Sequence, residues 1–130
     1  MAMASALQAK TVLQIEGVRQ AFPRPSGGEL TVLDNVDLTL REGEIVGLLG
    51  RSGSGKSTLL RIMAGLIEPS GGTARFLGQP VDGPAEGIAM VFQTFALFPW
   101  LTVLQNVQLG LDALHIAADE AHKRALEAID

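Results

Sequence analysis

Residues 50–58 read G-R-S-G-S-G-K-S-T, and Gly50, Gly55, Lys56 and Ser57 fall on the spacing G-x-x-x-x-G-K-[ST]. These residue types suit a chain of phosphates. Glycines let the backbone curl so that successive N–H groups point inward, and a helix that starts there adds the positive end of its dipole. Lys56 supplies a point charge with the reach to contact β- and γ-phosphates, and the Ser57 hydroxyl is a hard oxygen ligand suited to Mg2+. Shuffling this composition would produce the pattern in about 4 of 1000 trials. The candidate binding set is therefore Gly50, Arg51, Ser52, Gly53, Ser54, Gly55, Lys56, Ser57 and Thr58, with a nucleoside triphosphate as ligand.

Such a loop has to be held between a strand and a helix. Residues 44–50, E-I-V-G-L-L-G, form a short apolar run of the kind expected of a buried strand, and Leu59, Ile62, Met63 and Leu66 recur at helical spacing over residues 57–66. Upstream, Leu13 and Ile15 alternate with polar neighbours, Val18 leads to Ala21 and Phe22, and residues 23–28 read as a loop. Val36, Leu38 and Leu40 alternate as well, which predicts a strand that turns at residues 41–43 and pairs with 44–49 as a hairpin. Beyond the loop helix, short strands are expected over residues 73–77 and 87–92, the latter ending in Gln93. Thr102 and Gln105 have the spacing of a capping box ahead of an apolar stripe at Val103, Leu104, Val107 and Leu111. A last helix is expected from Asp119, with Glu120/Arg124 and Lys123/Glu127 paired and Ala121, Ala125 and Ile129 facing inward.

The chain of 130 residues is long enough for a real core and holds one domain at most. A net charge of −4 gives no basic footprint, which argues against nucleic acid as the main partner. The absence of cysteine excludes disulfides and Cys-ligated zinc and is compatible with a reducing cytosol. No run approaches the ~18 apolar residues of a membrane span, and residues 1–10 read as a tail without the pattern of a signal peptide.

Taken together, these motifs resemble the N-terminal half of the ATP-binding subunit of an ABC transporter. Four features carry the resemblance: the loop as L-L-G-R-S-G-S-G-K-S-T-L-L-R over residues 48–61, an aromatic Phe22 ahead of the loop, V-F-Q over residues 91–93, and L-F-P-W-L-T-V-L-Q-N-V over residues 97–107. The last is similar to importers of the nitrate, sulfonate and taurine group. The resemblance implies an α/β P-loop fold of the ABC ATPase type, truncated before the signature and Walker B regions, with residues 11–93 as catalytic core and 93–130 as Q-loop and start of a helical subdomain. It implies ATP and Mg2+ as ligands, Phe22 stacked on the adenine, and Gln93 as the glutamine that positions water and metal, sharing Mg2+ with Ser57. Lys56 and Gln93 are then the catalytic candidates. It also implies docking of transmembrane permease subunits on residues 95–101, a second ATP-binding subunit, and a cytoplasmic location peripheral to the inner face of the membrane.

Each carried role has a plainer rival. Phe22 reads also as a strand-end core residue, Gln93 as an ordinary polar loop residue, and Phe95, Phe98 and Trp100 equally as core or as an exposed docking patch. His115 and His122 read as helix-surface residues. Two other classes stay open: a different P-loop enzyme such as a GTPase or small kinase, against which the missing N-K-x-D argues, and a non-catalytic ATP-binding module. The family's L-S-G-G-Q signature, its apolar strand ending in Asp-Glu and its switch histidine do not occur in these residues; Ser26-Gly27-Gly28 and Ser70-Gly71-Gly72 precede the Q-loop and read as turns. Hydrolysis needs water aligned at the γ-phosphate and metal held from two sides, and Ser57 and Gln93 provide one side. The chain by itself is thus expected to show a Mg2+-ATPase rate equal to buffer; phosphate release that Lys56→Ala abolishes would overturn this.

Overall fold

Leu13 and Ile15 are two residues apart and Val18 is three further on, a spacing that a regular strand sends to opposite faces. In the computed structural model all three are buried together, because the strand that carries them, β1 (Thr11–Pro23), is bulged. Its pairing with β2 (Glu29–Arg41) slips between Ile15 and Val18, and Gly17 lies there in the left-handed region at φ 56°. One extra residue resets the alternation, so Val18 returns to the core face. The Gly17 N–H, taken out of the ladder, donates to Asp37 Oδ1 at 2.7 Å. β2 bends at the facing position, where Asn35 has φ 50°, and this keeps Leu33 buried while Val36, Leu38 and Leu40 pack at the edge of the core.

The structure describes residues 9–94 and 97–129, which divide into two compact units, one ending at Met90 and one beginning at Val91. In the first, β3 (Gly71–Phe76) and β4 (Gln79–Pro80) complete an antiparallel sheet of order β2-β1-β3-β4. Helix α1 (Lys56–Met63) buries Leu59 and Ile62 against Leu13, Ile15, Val18, Leu33 and Ala74. Side chains of this size contribute about 1.5–3 kcal/mol each when fully buried. The helix is shorter than the predicted 57–66. Gly65, at φ 70°, ends it in a Schellman motif in which the Gly65 N–H donates to Ile62 O at 3.0 Å and the Leu66 N–H to Arg61 O at 2.8 Å. Leu66 is accordingly exposed.

Three strand expectations fail for one reason. Residues 44–49 do not form a strand, and Ile45 and Leu49 are fully solvent-exposed at 101% and 97%. Residues 87–92 are not a strand either; Ile88 packs on the core, but Val91 is exposed. The predicted hairpin between residues 36–41 and 44–49 is therefore absent, and the hairpin that does form joins β1 to β2 through residues 24–28. A run that is apolar on both faces is stable as a strand only between two paired neighbours. Among the described residues no strand pairs with either run, and the Glu44 and Ile88 N–H groups donate only within local turns, to Arg41 O and Ala85 O.

The second unit is a helical hairpin of α2 (Val103–Ala113) and α3 (Ala118–Ile129). The capping box is formed: the Gln105 N–H donates to Thr102 Oγ1 at 3.2 Å and the Thr102 N–H to Gln105 Oε1 at 2.8 Å. α2 ends in a second Schellman motif, with the His115 N–H donating to Asp112 O and the Ile116 N–H to Leu111 O. His115 is thus a left-handed residue (φ 56°) beyond the helix rather than on its surface. Ala121 and Ala125 are fully buried, small enough to let the two helices approach. Ile129, expected inward, is exposed. The ion pairs Glu120–Arg124 and Lys123–Glu127 are both present and exposed, worth a few tenths of a kcal/mol each.

Gly72 and Gly78 share a left-handed backbone, at φ 80° and 83°, but a Cβ on Gly72 would lie 2.4 Å from Gly17 O whereas one on Gly78 meets nothing within 4 Å. Alanine at either carries the left-handed penalty of about 1–2 kcal/mol, and Gly72→Ala should cost a further ~1–3 kcal/mol by forcing β3 off the bulge. Urea unfolding of the two variants side by side checks this; equal midpoints would mean that the bulge yields freely.

Candidate functional site

The loop at residues 50–55 is seated on β2 through the α-carbon of Gly55. A Cβ there would stand 2.7 Å from Leu33 Cδ2, 2.9 Å from Val32 O and 3.1 Å from Val32 Cγ1. Gly55 is also the N-cap of α1, in a left-handed conformation (φ 89°) with no side chain to cap the helix. Backbone geometry and close approach each demand glycine at this position. The first intrahelical acceptor is used by the Leu59 N–H, which donates to Gly55 O at 2.9 Å. The N–H groups of the preceding turn are the helix's orphan donors, oriented along its axis toward the loop, and they are the groups an anion would satisfy.

Lys56 closes the loop on itself. Its Nζ donates to Gly50 O at 2.8 Å, Arg51 O at 2.7 Å and Ser54 Oγ at 3.2 Å, so all three ammonium protons are engaged. The Ser54 N–H donates to Arg51 O at 3.2 Å, completing the turn. Gly50 makes room for this: a Cβ on it would stand 2.6 Å from Ser54 Oγ. Positive charge is thereby held at the centre of the loop before any ligand arrives. An open cavity of about 250 Å³ adjoins it, with Gly50, Ser54 and Lys56 as its polar wall and Leu33, Leu48 and Leu49 opposite. Arg51, Ser52, Gly53 and Ser57 are exposed, and Thr58 is half-buried in the first helical turn.

Of the remaining candidates, Phe22 belongs to the first unit, and Gln93 and the aromatic stretch belong to the second. Phe22 is partly exposed near the end of β1, opposite Leu30. Gln20, two residues earlier on β1, pairs with Leu33, the residue beneath Gly55. Phe22 therefore stands about 7 Å along the strand from the row that carries the loop. Gln93 belongs to the second unit and is exposed. Of the aromatic stretch, Phe95 lies outside the described residues, while Phe98 and Trp100 are both exposed with ring centroids 5.2 Å apart and planes tilted by 52°. His115 and His122 join no cluster, and among the described residues no group of His, Asp and Glu could hold a metal. Sequence reasoning missed the seat of the loop on Val32 and Leu33, for which no local pattern exists, and Asn106, discussed below.

A glycine-capped loop closed by its own lysine and opening a helix packed on a sheet defines a P-loop nucleotide-binding protein. The profile of the family described as ABC transporter matches residues 33–130, and the chain belongs to that family. It is 44% identical over 114 residues to the bicarbonate transport ATP-binding protein CmpD of Synechocystis sp., covering 88% of this chain and 40% of the relative. It is 45% identical over 102 residues to the taurine import ATP-binding protein TauB of Burkholderia pseudomallei, covering 78% and 39%. With the nitrate import ATP-binding protein NrtC of Synechococcus elongatus the identity is 40% over 120 residues, 91% of this chain and 18% of that one. Among solved structures it is similar to the ATP-binding cassette MJ0796, a dimer in a post-hydrolysis state bound to ADP and Pi, with TM-score 0.78 and 33% identity over 88% of this chain and 54% of that one. The chain thus spans about half, or less, of the proteins it matches.

The Lys56 contacts carry a prediction for the ligand-free loop. Lys56→Met keeps the aliphatic stem and removes three hydrogen bonds, so amide exchange over residues 51–55 should accelerate about tenfold or more, the equivalent of one charge-assisted bond of about 1.5 kcal/mol. Unchanged exchange would mean that the glycine turns alone hold the loop.

Proposed function

We propose that the chain binds ATP through residues 50–58 and forms the nucleotide-gripping part of an ABC ATPase whose hydrolysis drives import of a small anion of the nitrate, bicarbonate or taurine kind. The observation that carries this reading is the loop itself: orphan N–H groups at the start of α1, a cradle at Gly50 and Gly55 that a Cβ would fill, and the Lys56 ammonium at its centre. Import of an anion is supported by the similarity to the bicarbonate, taurine and nitrate transport proteins CmpD, TauB and NrtC.

In this reading the orphan N–H groups at the start of α1 and the Lys56 ammonium receive the β- and γ-phosphates. Phe22 offers its exposed face to the adenine, at a separation along β1 that a ribose bridges. The Ser57 hydroxyl, exposed in the first turn of α1, and Gln93 would hold Mg2+, which neutralises charge on the terminal phosphates when bound. Gln93 would also orient the attacking water. We infer further that residues 11–93 are the catalytic core and 93–130 open a helical subdomain, a reading supported by the division of the chain after Met90. The exposed Leu97, Phe98 and Trp100 support docking of a transmembrane permease subunit on residues 95–101. A second ATP-binding subunit is supported by the dimer that the similar cassette MJ0796 forms, and a place on the cytoplasmic face of the membrane would follow from the docking; among the described residues no helix is long and apolar enough to cross a membrane.

Two substitutions separate the parts of this site. Lys56→Ala should weaken both ATP and Mg2+-pyrophosphate at least tenfold, since it removes a charge-assisted contact worth about 1.5–3 kcal/mol. Phe22→Ala should weaken ATP by about 1–3 kcal/mol while sparing Mg2+-pyrophosphate, because stacking acts on the base alone. Titration calorimetry of both ligands on both variants is decisive: ATP affinity unaffected by Lys56→Ala would refute the phosphate site, and equal loss of both ligands in Phe22→Ala would make Phe22 structural.

A further inference from the structure

Asn106 stands in the first turns of α2, half-buried, and its side-chain amide is committed wholly to the backbone of the turn before the helix. Its Oδ1 accepts the Phe98 N–H at 2.8 Å. The two protons of its Nδ2 are shared among three carbonyls, Phe98 O at 3.2 Å, Leu101 O at 3.2 Å and Thr102 O at 2.9 Å, so that one of them is bifurcated. The pair of bonds to Phe98 satisfies both peptide groups of one residue, as a neighbouring strand would, and fixes the amide orientation because the Phe98 N–H can only donate. The Leu101 N–H donates to Phe98 O at 3.1 Å and closes the turn. The capping box of Thr102 and Gln105 then joins that turn to the helix.

This clamp holds an apolar surface in an unfavourable place. Leu97, Trp100 and Val103 are all well over half exposed, and an apolar hollow of about 390 Å³ lies between Leu97, Phe98, Leu101, Val103 and Val107 with the Asn106 amide in its wall. No Asp, Glu, Lys, Arg or His occurs between Glu86 and Asp112, and no charged side chain lines the hollow. A turn with such side chains would lower its free energy by collapsing on the nearest apolar surface. Four hydrogen bonds from one side chain oppose that collapse, and they need a group that donates and accepts at once. Leucine does neither, and an aspartate would set its charge against three carbonyl oxygens.

We propose that Asn106 is the positioning residue of the permease-docking turn: its amide fixes the shape of residues 98–102 and with it the uncharged apolar surface offered to the membrane-embedded subunit. The proposal rests on the docking role given above for residues 95–101. It assigns Asn106 no contact with the permease and none with nucleotide.

The test uses the full-length subunit with its detergent-solubilised permease, and the variants Asn106→Leu and Trp100→Ala. Asn106→Leu should speed amide exchange at Phe98 tenfold or more, weaken permease affinity tenfold or more and leave ATP affinity within twofold; Trp100→Ala should weaken permease affinity while leaving Phe98 exchange unchanged. Should Asn106→Leu fail to yield a subunit that binds ATP, Asn106→Asp, of equal size, carries the same comparison of permease and ATP affinity. Permease affinity lost in Trp100→Ala but kept in the Asn106 variant overturns the positioning role and leaves the docking role standing. Affinity kept in both variants overturns the docking role, and the proposal with it. Unchanged Phe98 exchange in Asn106→Leu shows that the turn needs no clamp and overturns the proposal directly.

Discussion

The approach of the Gly55 α-carbon to Val32 and Leu33 is the contact from which the first unit's chemistry follows. It brings the start of α1 down onto β2 with no side chain between them, and so sets where the orphan N–H groups of the helix point. The rest of the loop is arranged to tolerate that approach. Gly50 leaves space for Ser54, and Lys56 bonds back to Gly50, Arg51 and Ser54. α1 is then held from below by Leu59 and Ile62 in the core that Ile15 and Val18 also fill. A bulge at Gly17 makes that core possible, because without its phase reset Val18 would point to the opposite face of β1. Backbone irregularity in the sheet and the geometry of the loop are therefore two ends of one packing arrangement.

The exposed run at residues 44–49 shows what this arrangement lacks. Ile45 and Leu49 are bare, and the cavity beside the loop is walled by Leu48 and Leu49, side chains that in a paired strand would be covered. The chain spans about half or less of the length of the proteins it matches, and among the described residues nothing pairs with this run. The antiparallel sheet of β1 to β4 has no such dependence, since every one of its strands finds its neighbour within the first 80 residues.

The second unit solves a different problem with the same chemistry. Its hairpin is held by two small residues, Ala121 and Ala125, and by a Schellman motif that tolerates histidine where glycine is usual. At the start of α2 the polar side chains satisfy the backbone: Thr102 and Gln105 at the helix start, Asn106 at the turn before it. Apolar side chains are consequently left facing outward in a segment without charge, an arrangement suited to a partner surface of the same kind.

Much of this was legible in residue order alone because it depends on neighbours in sequence. The start of α1 behind Gly55, the capping box of Thr102 and Gln105 and the ion pairs of α3 are set by spacings of three to five residues, and these appear as the spacing predicts. Helix ends were less legible: Gly65 and His115 act through left-handed caps, and His115 carries no signal for one. Tertiary structure alone decided the rest. Whether residues 44–49 and 87–92 become strands depends on a hydrogen-bonding neighbour, which an apolar pattern invites but cannot supply. Which residue of β1 fills the core depends on a bulge whose register is set by β2 and β3 together. The seat of Gly55 on Val32, and the reach of Asn106 back to Phe98, join residues that no local period links, and only the folded chain brings them into contact.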